Sequence, residues 1–138
     1  MVKAFIDSDV LLDFLLGREP FSTESAKILS LADLKEIQLF TSPVVLANCY
    51  YILRKYNSHA SVVRELIKML ELIDLVSIDR GTAIEALNSK FSDFEDALQS
   101  FSASRSKLEI IITRNISDYK YSESIVQLPA EFLVALKQ

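Results

Sequence analysis

Five short apolar runs alternate along this chain with segments whose apolar residues recur at helical spacing, and this alternation constrains the fold most. The predicted strands cover residues 2–6, 38–41, 75–78, 109–113 and 125–128. The predicted helices cover residues 10–16, 22–35, 43–56, 60–72, 82–88, 92–106 and a last segment that begins at 129. Strands separated by helices predict an α/β fold, with a parallel sheet that carries helices on both faces.

Composition narrows the chemistry that such a fold can carry. The 138 residues suit one domain spanning 1–138. One cysteine and one histidine exclude a disulfide framework and a zinc site built from those residues, and they disfavour a catalytic triad. The formal net charge of −4 disfavours binding of nucleic acid by bulk charge, so such binding would need a local basic patch or a bound cation.

The apolar segments are too short or too interrupted for membrane insertion. The first run is cut by Asp7, which is not typical of a signal peptide. The most apolar stretch, residues 40–53, contains Asn48 and is too short to span a bilayer. We therefore expect a cytoplasmic protein without membrane contact, and the single cysteine agrees with a reducing compartment.

Two acidic residues follow the first predicted strand. Parallel sheets bind ligands beyond the carboxyl ends of their strands, so Asp7 and Asp9 are candidate functional residues. A structural role is equally open for Asp7, because an aspartate at this place also caps the N-terminus of the next helix.

A second acidic group, residues 92–96, opens a predicted helix. Ser92 and Glu95 have the spacing of a capping box, which explains Glu95, and we expect Glu95→Gln to affect activity little. Asp96 lies beyond the cap in this interpretation, so capping does not explain it. Asp93 and Asp96 are three residues apart and share a helix face. Asp96 is therefore the stronger candidate for a functional site.

The polar segment 113–118 follows the most apolar predicted strand. Asn115 and Asp118 are compatible with a turn of unusual backbone geometry, and they are also placed to join a site formed by the acids above. Thr113 and Arg114 are candidates for binding substrate phosphate, because arginine makes bidentate, charge-assisted hydrogen bonds. A solvated loop position is an equal alternative for Arg114.

Carboxylates gathered at one edge of the sheet would need a cation. Three carboxylates about 5 Å apart repel one another by about 3 kcal/mol per pair at an effective dielectric constant of about 20. The total approaches the net stability of a whole domain, about 5–15 kcal/mol. Oxygen ligands favour Mg²⁺ or Mn²⁺ over zinc or copper. Such an ion activates water for attack on phosphate esters, so the pattern predicts phosphodiester chemistry.

The order and spacing of these pieces resemble the PIN-domain ribonucleases, in particular the VapC-like toxins of bacteria. The matching pieces are residues 5–13, 42–51, 93–98, 112–115 with 118–119, and 128–133. The resemblance implies a three-layer α/β/α sandwich around a parallel sheet, and a Mg²⁺- or Mn²⁺-dependent endoribonuclease that hydrolyses RNA. It also implies a homodimer and, for a toxin, an antitoxin protein as partner.

The same resemblance implies roles for individual residues. Asp7 and Asp96 match two acidic metal ligands of the family. Many members have a further aspartate where this chain has Asn115, and Asp118, three residues on, is expected to supply that charge as a metal ligand. We therefore expect Asp7, Asp96, Asp118 and Asn115 to form the catalytic centre.

Two positions depart from the family pattern. Asn48 stands where the family commonly has glutamate, and Asp9 stands where it commonly has asparagine. Together with the peripheral Asp93, both are accessory candidates. Because Asn48 and Asn115 bring no charge, a PIN-like binding module without catalysis is a second hypothesis.

A third hypothesis is a phosphatase of the haloacid-dehalogenase type. Residues 7–10 resemble the opening motif of that family, in which the first aspartate, here Asp7, is the nucleophile. The chain is short for that fold, and it shows no convincing later lysine and paired-aspartate motif.

Overall fold

A five-stranded parallel sheet forms the centre of the computed structural model, which describes residues 1–137. Its strands are β1 (Val2–Ile6), β2 (Ile37–Thr41), β3 (Ile73–Leu75), β4 (Ile110–Ile112) and β5 (Ile125–Gln127). The helices are α1 (Ser8–Leu15), α2 (Phe21–Asp33), α3 (Pro43–Leu53), α4 (His59–Leu70), α5 (Arg80–Leu87), α6 (Phe94–Arg105) and α7 (Pro129–Leu136), with one 3-10 turn, η1 (Ile116–Tyr119). None of these helices is long and apolar enough to cross a membrane.

The connections between strands place helices on both faces of the sheet. The chain runs outward from β1 through β2 to β3 and then returns to β4 and β5, which gives the strand order β3-β2-β1-β4-β5. Right-handed crossovers put α1 to α4 on one face, and the reversed direction puts α5 and α6 on the other. The last helix, α7, packs against α2, and η1 packs against α6. This architecture confirms the predicted α/β/α sandwich.

The middle of the sheet is its most deeply buried part. Phe5, Ile6, Ile111 and Ile112 are fully buried on the neighbouring strands β1 and β4. Ile6 is in register with Ile112, and the backbone N–H of Asp7 donates to the Ile112 carbonyl over 3.0 Å. Each such side chain contributes about 1.5–3 kcal/mol on burial. The core therefore fixes the register that brings the end of β1 beside the end of β4.

The third strand lies earlier in the chain than the prediction of 75–78. Its first residue, Ile73, is buried and pairs with Leu39, whereas its last two residues are exposed at the edge of the sheet. The N–H of Val76 still donates to the Thr41 carbonyl over 2.8 Å, and the chain then leaves the sheet toward α5. An edge strand needs few buried side chains. The apolar run 75–78 therefore covers the end of β3 and the residues that follow it, and not the middle of the strand.

The strand order reverses between β1 and β4. Connections from these two neighbouring strands leave on opposite faces of the sheet, and such a point opens a crevice at the carboxyl ends of the strands. The residues that directly follow the two strands are Asp7 and Thr113. The fold therefore brings together two of the segments that the sequence singled out.

Candidate active site

Asp7 follows β1 directly and caps the N-terminus of α1. Its Oδ1 accepts a hydrogen bond of 2.8 Å from the backbone N–H of Ser8, as the capping interpretation predicted. Its Oδ2 accepts hydrogen bonds from the hydroxyl groups of Thr113, at 3.0 Å, and Tyr119, at 2.9 Å. Asp7 is only 6% exposed, and burial raises the pKa of its carboxyl group in spite of these donors. Elements from both ends of the chain thus hold it in one orientation.

Asp9 lies in the first turn of α1, and one of its two oxygens is held by the segment after β4. Oδ2 accepts hydrogen bonds from the backbone N–H of Arg114 at 2.9 Å and from the side-chain amide of Asn115 at 3.2 Å. Oδ1 is buried and has no hydrogen-bond partner within residues 1–137. Burial and the nearby charge of Asp7 raise the pKa of Asp9 to about 6. One carboxylate oxygen of the accessory candidate Asp9 is therefore buried without a partner.

Asp96 belongs to the same group of carboxylates and approaches it from the N-terminus of α6. Burial raises the pKa of Asp96 to about 7, and the charges of Asp93, Asp7 and Asp118 add to this rise. The carboxylates are thus close enough for their charges to interact. Asp96 is the third residue of α6, not a residue beyond its first turn.

The N-terminus of α6 is capped differently from our prediction. Asp93, not Ser92, is the N-cap, and its Oδ1 accepts a hydrogen bond of 2.9 Å from the N–H of Asp96. The predicted capping-box role of Glu95 is therefore wrong. Its carboxylate accepts a hydrogen bond from the side-chain amide of Asn48 on α3, and its charge raises the pKa of the neighbouring acids. A carboxylate from α6 thus lies beside Asn48, at the position where the resemblance implies a glutamate.

The side chains of Thr113 and Arg114 both contact carboxylates of α1 and the residues around its start. Thr113 is fully buried, and its hydroxyl lies against the carboxylates of Asp7 and Asp9. The guanidinium of Arg114 pairs with the carboxylate of Asp13. The buried Thr113 is not exposed to a substrate phosphate, whereas the Arg114 side chain is partly exposed, so phosphate binding by Arg114 stays a prediction. Both residues also hold carboxylates of this region through hydrogen bonds.

The η1 turn carries the remaining predicted residues. Asn115 precedes the turn, and its side-chain amide donates to Asp9 instead of capping η1. Asp118 lies within η1 and is exposed to solvent. Its charge raises the pKa of Asp96, so it borders the carboxylate group from the solvent side.

Two residues of this region were not among the sequence candidates. Tyr119 is almost completely buried and donates to Asp7, and burial together with that carboxylate raises the pKa of its phenol, so the phenol stays protonated. Asp13 is fully buried within α1. An acid at an otherwise apolar helix position, one turn after Asp9, was the sequence signal for Asp13.

The oxygens at this edge of the sheet suit a hard divalent cation. Within residues 1–137, no three His, Cys, Asp or Glu side chains are arranged so closely that they define a metal site by themselves. The converging donors are nevertheless carboxylates, and the buried Oδ1 of Asp9 lacks a partner that a cation would provide. Burial, with the charges of neighbouring acids, raises the pKa values of Asp7, Asp9 and Asp96, and a bound cation would favour their charged forms. The oxygen donors at this edge therefore fit a hard divalent cation.

Comparison with protein families gives a match across most of the chain. A family model described as a PIN domain matches residues 3–117. The matched range includes Asp7, Asp96 and Asn115 and ends just before Asp118. No curated protein matches the chain significantly.

Solved structures with the same fold come from several bacteria. VapBC2 from Rickettsia felis, bound to a promoter DNA fragment, has a TM-score of 0.70 and 14% identity, and covers 92% of this chain and 98% of that chain. A toxin–antitoxin complex from Klebsiella pneumoniae has a TM-score of 0.67 and 21% identity, over 91% and 97% of the two chains. The sarcin-ricin loop cleaving toxin VapC20 from Mycobacterium tuberculosis has a TM-score of 0.65 and 14% identity, over 88% and 98%. At these identities the likeness shows the fold.

Proposed function

This chain belongs to the PIN-domain family, and from that premise we propose that it is a Mg²⁺- or Mn²⁺-dependent endoribonuclease that hydrolyses RNA phosphodiesters. The observation that carries the proposal is the group of carboxylates of Asp7, Asp9 and Asp96 at the carboxyl edge of the sheet. Burial raises the pKa values of all three carboxyl groups, and the charges of neighbouring acids add to the rise. A divalent cation would favour the charged forms of these carboxylates, and oxygen ligands suit Mg²⁺ or Mn²⁺.

Asp7, Asp9 and Asp96 would hold the cation, with Asp118 at the solvent-exposed side. When bound, the ion would lower the pKa of an attacking water and offset the charge that develops on the phosphate. The chain itself orients the ligands. The phenol of Tyr119 keeps its proton and donates it in a hydrogen bond to Asp7 Oδ2, and the Thr113 hydroxyl lies against the same oxygen.

The biological role in this proposal is that of a toxin with an antitoxin partner. One structural neighbour is described as a toxin–antitoxin complex and another as a toxin that cleaves the sarcin-ricin loop. By analogy with these, the chain would act on RNA in the cytoplasm, as a single domain, and would be restrained by a second protein. A homodimer is part of the same proposal.

The test is metal-dependent cleavage of RNA by purified variants. Asp7→Asn and Asp96→Asn should each lower the cleavage rate by more than about 100-fold, because loss of a ligand costs more than loss of a residue that supports one. Asp33→Asn is the matched control, since Asp33 is an exposed acid at the end of α2, which leads into the opposite edge of the sheet. Full activity of either site variant would refute the proposed site.

A PIN-like binding module without catalysis is the second candidate, and the amides at Asn48 and Asn115 favour it. Metal-dependent stability separates the two. A cation at 100 times its Kd should stabilise the wild type by about 2.7 kcal/mol, visible as a higher Tm. The absence of any shift with millimolar Mg²⁺ or Mn²⁺ would favour the binding module. The phosphatase hypothesis loses its support with membership of the PIN-domain family.

A further inference from the structure

A buried carboxylate that forms ion pairs with two partly exposed arginines lies next to the carboxylate group in α1. Asp13 is fully buried in α1, one helical turn after Asp9. The Arg114 guanidinium holds both of its oxygens, with Nε donating to Oδ2 over 2.6 Å and Nη2 donating to Oδ1 over 3.0 Å. Nε of Arg18 also donates to Oδ1, over 2.9 Å. A buried carboxylate with this many charge-assisted hydrogen bonds has a single well-defined position.

The same arginine anchors the segment 113–115 to α1. Besides its pair with Asp13, Arg114 donates its backbone N–H to Asp9 Oδ2. The guanidinium carbon of Arg114 lies 4.0 Å from the centre of the Phe21 ring, so the planar guanidinium also makes a cation–π contact with that ring. The neighbouring Thr113 and Asn115 also contact Asp9 Oδ2. Three consecutive residues therefore converge on one oxygen of Asp9 and leave the other free.

We propose that Asp13 is a positioning residue for metal binding: its bidentate pair with Arg114 fixes the segment 113–115, which holds Asp9 so that its Oδ1 stays free for the cation. This inference rests on the proposed function. Asp13 is fully buried and both of its oxygens are held by Arg114, so it acts through Arg114. Bidentate geometry is essential to this role, because a lysine at 114 would keep the charge without bridging both oxygens.

The experiment compares Arg114→Lys and Asp13→Asn with Arg18→Gln as the matched control. Arg18 pairs with the same carboxylate but does not contact residues 113–115, and its contact with Asp9 is only to the backbone carbonyl, over 3.4 Å. The first readout is Mn²⁺ affinity by calorimetry, which is independent of RNA cleavage. The second is hydrogen exchange of the amides of residues 114 and 115 in the metal-free protein.

Arg114→Lys and Asp13→Asn should bind Mn²⁺ about 10–100-fold more weakly than the wild type, as is typical for loss of a residue that orients a metal ligand. Their amides at 114 and 115 should exchange faster, whereas Arg18→Gln should match the wild type in both measurements. In cleavage assays kcat at subsaturating Mn²⁺ should fall while KM for RNA is kept.

Three results would overturn the positioning role in a wild type that binds Mn²⁺ and cleaves RNA. One is unchanged Mn²⁺ affinity in Arg114→Lys, and another is an equal loss in Arg18→Gln. The third is failure of both Arg114→Lys and Asp13→Asn to fold while Arg18→Gln folds, which would assign the pair to stability alone. A wild type that neither binds Mn²⁺ nor cleaves RNA would instead refute the proposed function, and this inference with it.

Discussion

Replacing Asp96 with asparagine should stabilise the metal-free protein at pH 8. The pKa of Asp96 is about 7 in the folded protein, against 3.8 for an unperturbed aspartate. At pH 8 the side chain is ionised in both the folded and the unfolded chain. The free energy of the folded state therefore includes the full cost of burying this charge and of its repulsion by the neighbouring acids. Asparagine has nearly the same shape and removes that charge.

The magnitude follows from the two pKa values. Their difference corresponds to about 4 kcal/mol for a side chain shielded from water. Asp96 is partly exposed, and solvent screening reduces the gain to about 1–2 kcal/mol. With an unfolding entropy of about 2.1 cal/mol/K per residue, a gain of this size raises the Tm of a 138-residue chain by about 3–7 °C.

The sign of the pH dependence provides a sharper check than the Tm at one pH. As the pH falls through 7, the folded wild type binds a proton at Asp96 before the unfolded chain does, so its stability rises toward pH 4. Asp9, with a pKa of about 6, contributes in the same direction. The advantage of Asp96→Asn should therefore shrink between pH 8 and pH 5.

Thermal unfolding in the presence of EDTA, with Asp33→Asn as control, measures both effects. The electrostatic reasoning would be refuted if Asp96→Asn were less stable than the wild type at pH 8. It would equally be refuted if the difference in Tm were the same at both pH values. Excess Mn²⁺ at pH 8 should reverse the order, because the wild type then gains a bound cation that the variant has lost.

Three further substitutions test the corrected role of one acid and the backbone conformation at two helix ends. Glu95→Gln should weaken Mn²⁺ binding about tenfold in calorimetry, because the Glu95 charge acts on the neighbouring acids; unchanged affinity would place Glu95 outside the site. Gly17 has a φ of +65°, and a β-carbon added there would meet no atom within 4 Å, so Gly17→Ala should cost about 1 kcal/mol in urea unfolding from backbone strain alone. Lys107, with a φ of +59°, should show the opposite sign, with Lys107→Gly gaining about 0.5–1 kcal/mol; equal signs for the two substitutions would contradict the argument.

Much of the fold could be predicted because each central strand carries its own local signal. The runs 2–6 and 109–113 are apolar throughout their buried parts, so their position did not depend on distant contacts. The edge strand was misplaced because only Ile73 of its three residues is buried. The carboxylates after the first strand and in 92–96 were predicted from their places relative to these elements.

The parts of the site that could not be predicted depend on distant or ambiguous signals. Asp13 and Arg114 are 101 residues apart in sequence, so their pairing had no local pattern. Ser92 with Glu95 and Asp93 with Asp96 have the same spacing, and a spacing rule does not choose between two overlapping caps. In the structure Asp93 caps the helix by accepting from the N–H of Asp96, and Glu95 instead accepts a hydrogen bond from Asn48.

The pairing of β1 with β4 has a consequence for a chain that is still being synthesised. Asp7 is made well before its partners Thr113 and Tyr119, which lie 106 and 112 residues further along the chain. A nascent polypeptide shorter than this carries isolated acids and no assembled centre. In the proposed ribonuclease, this topology delays activity until the segment that follows β4 has been made and has paired with Asp7.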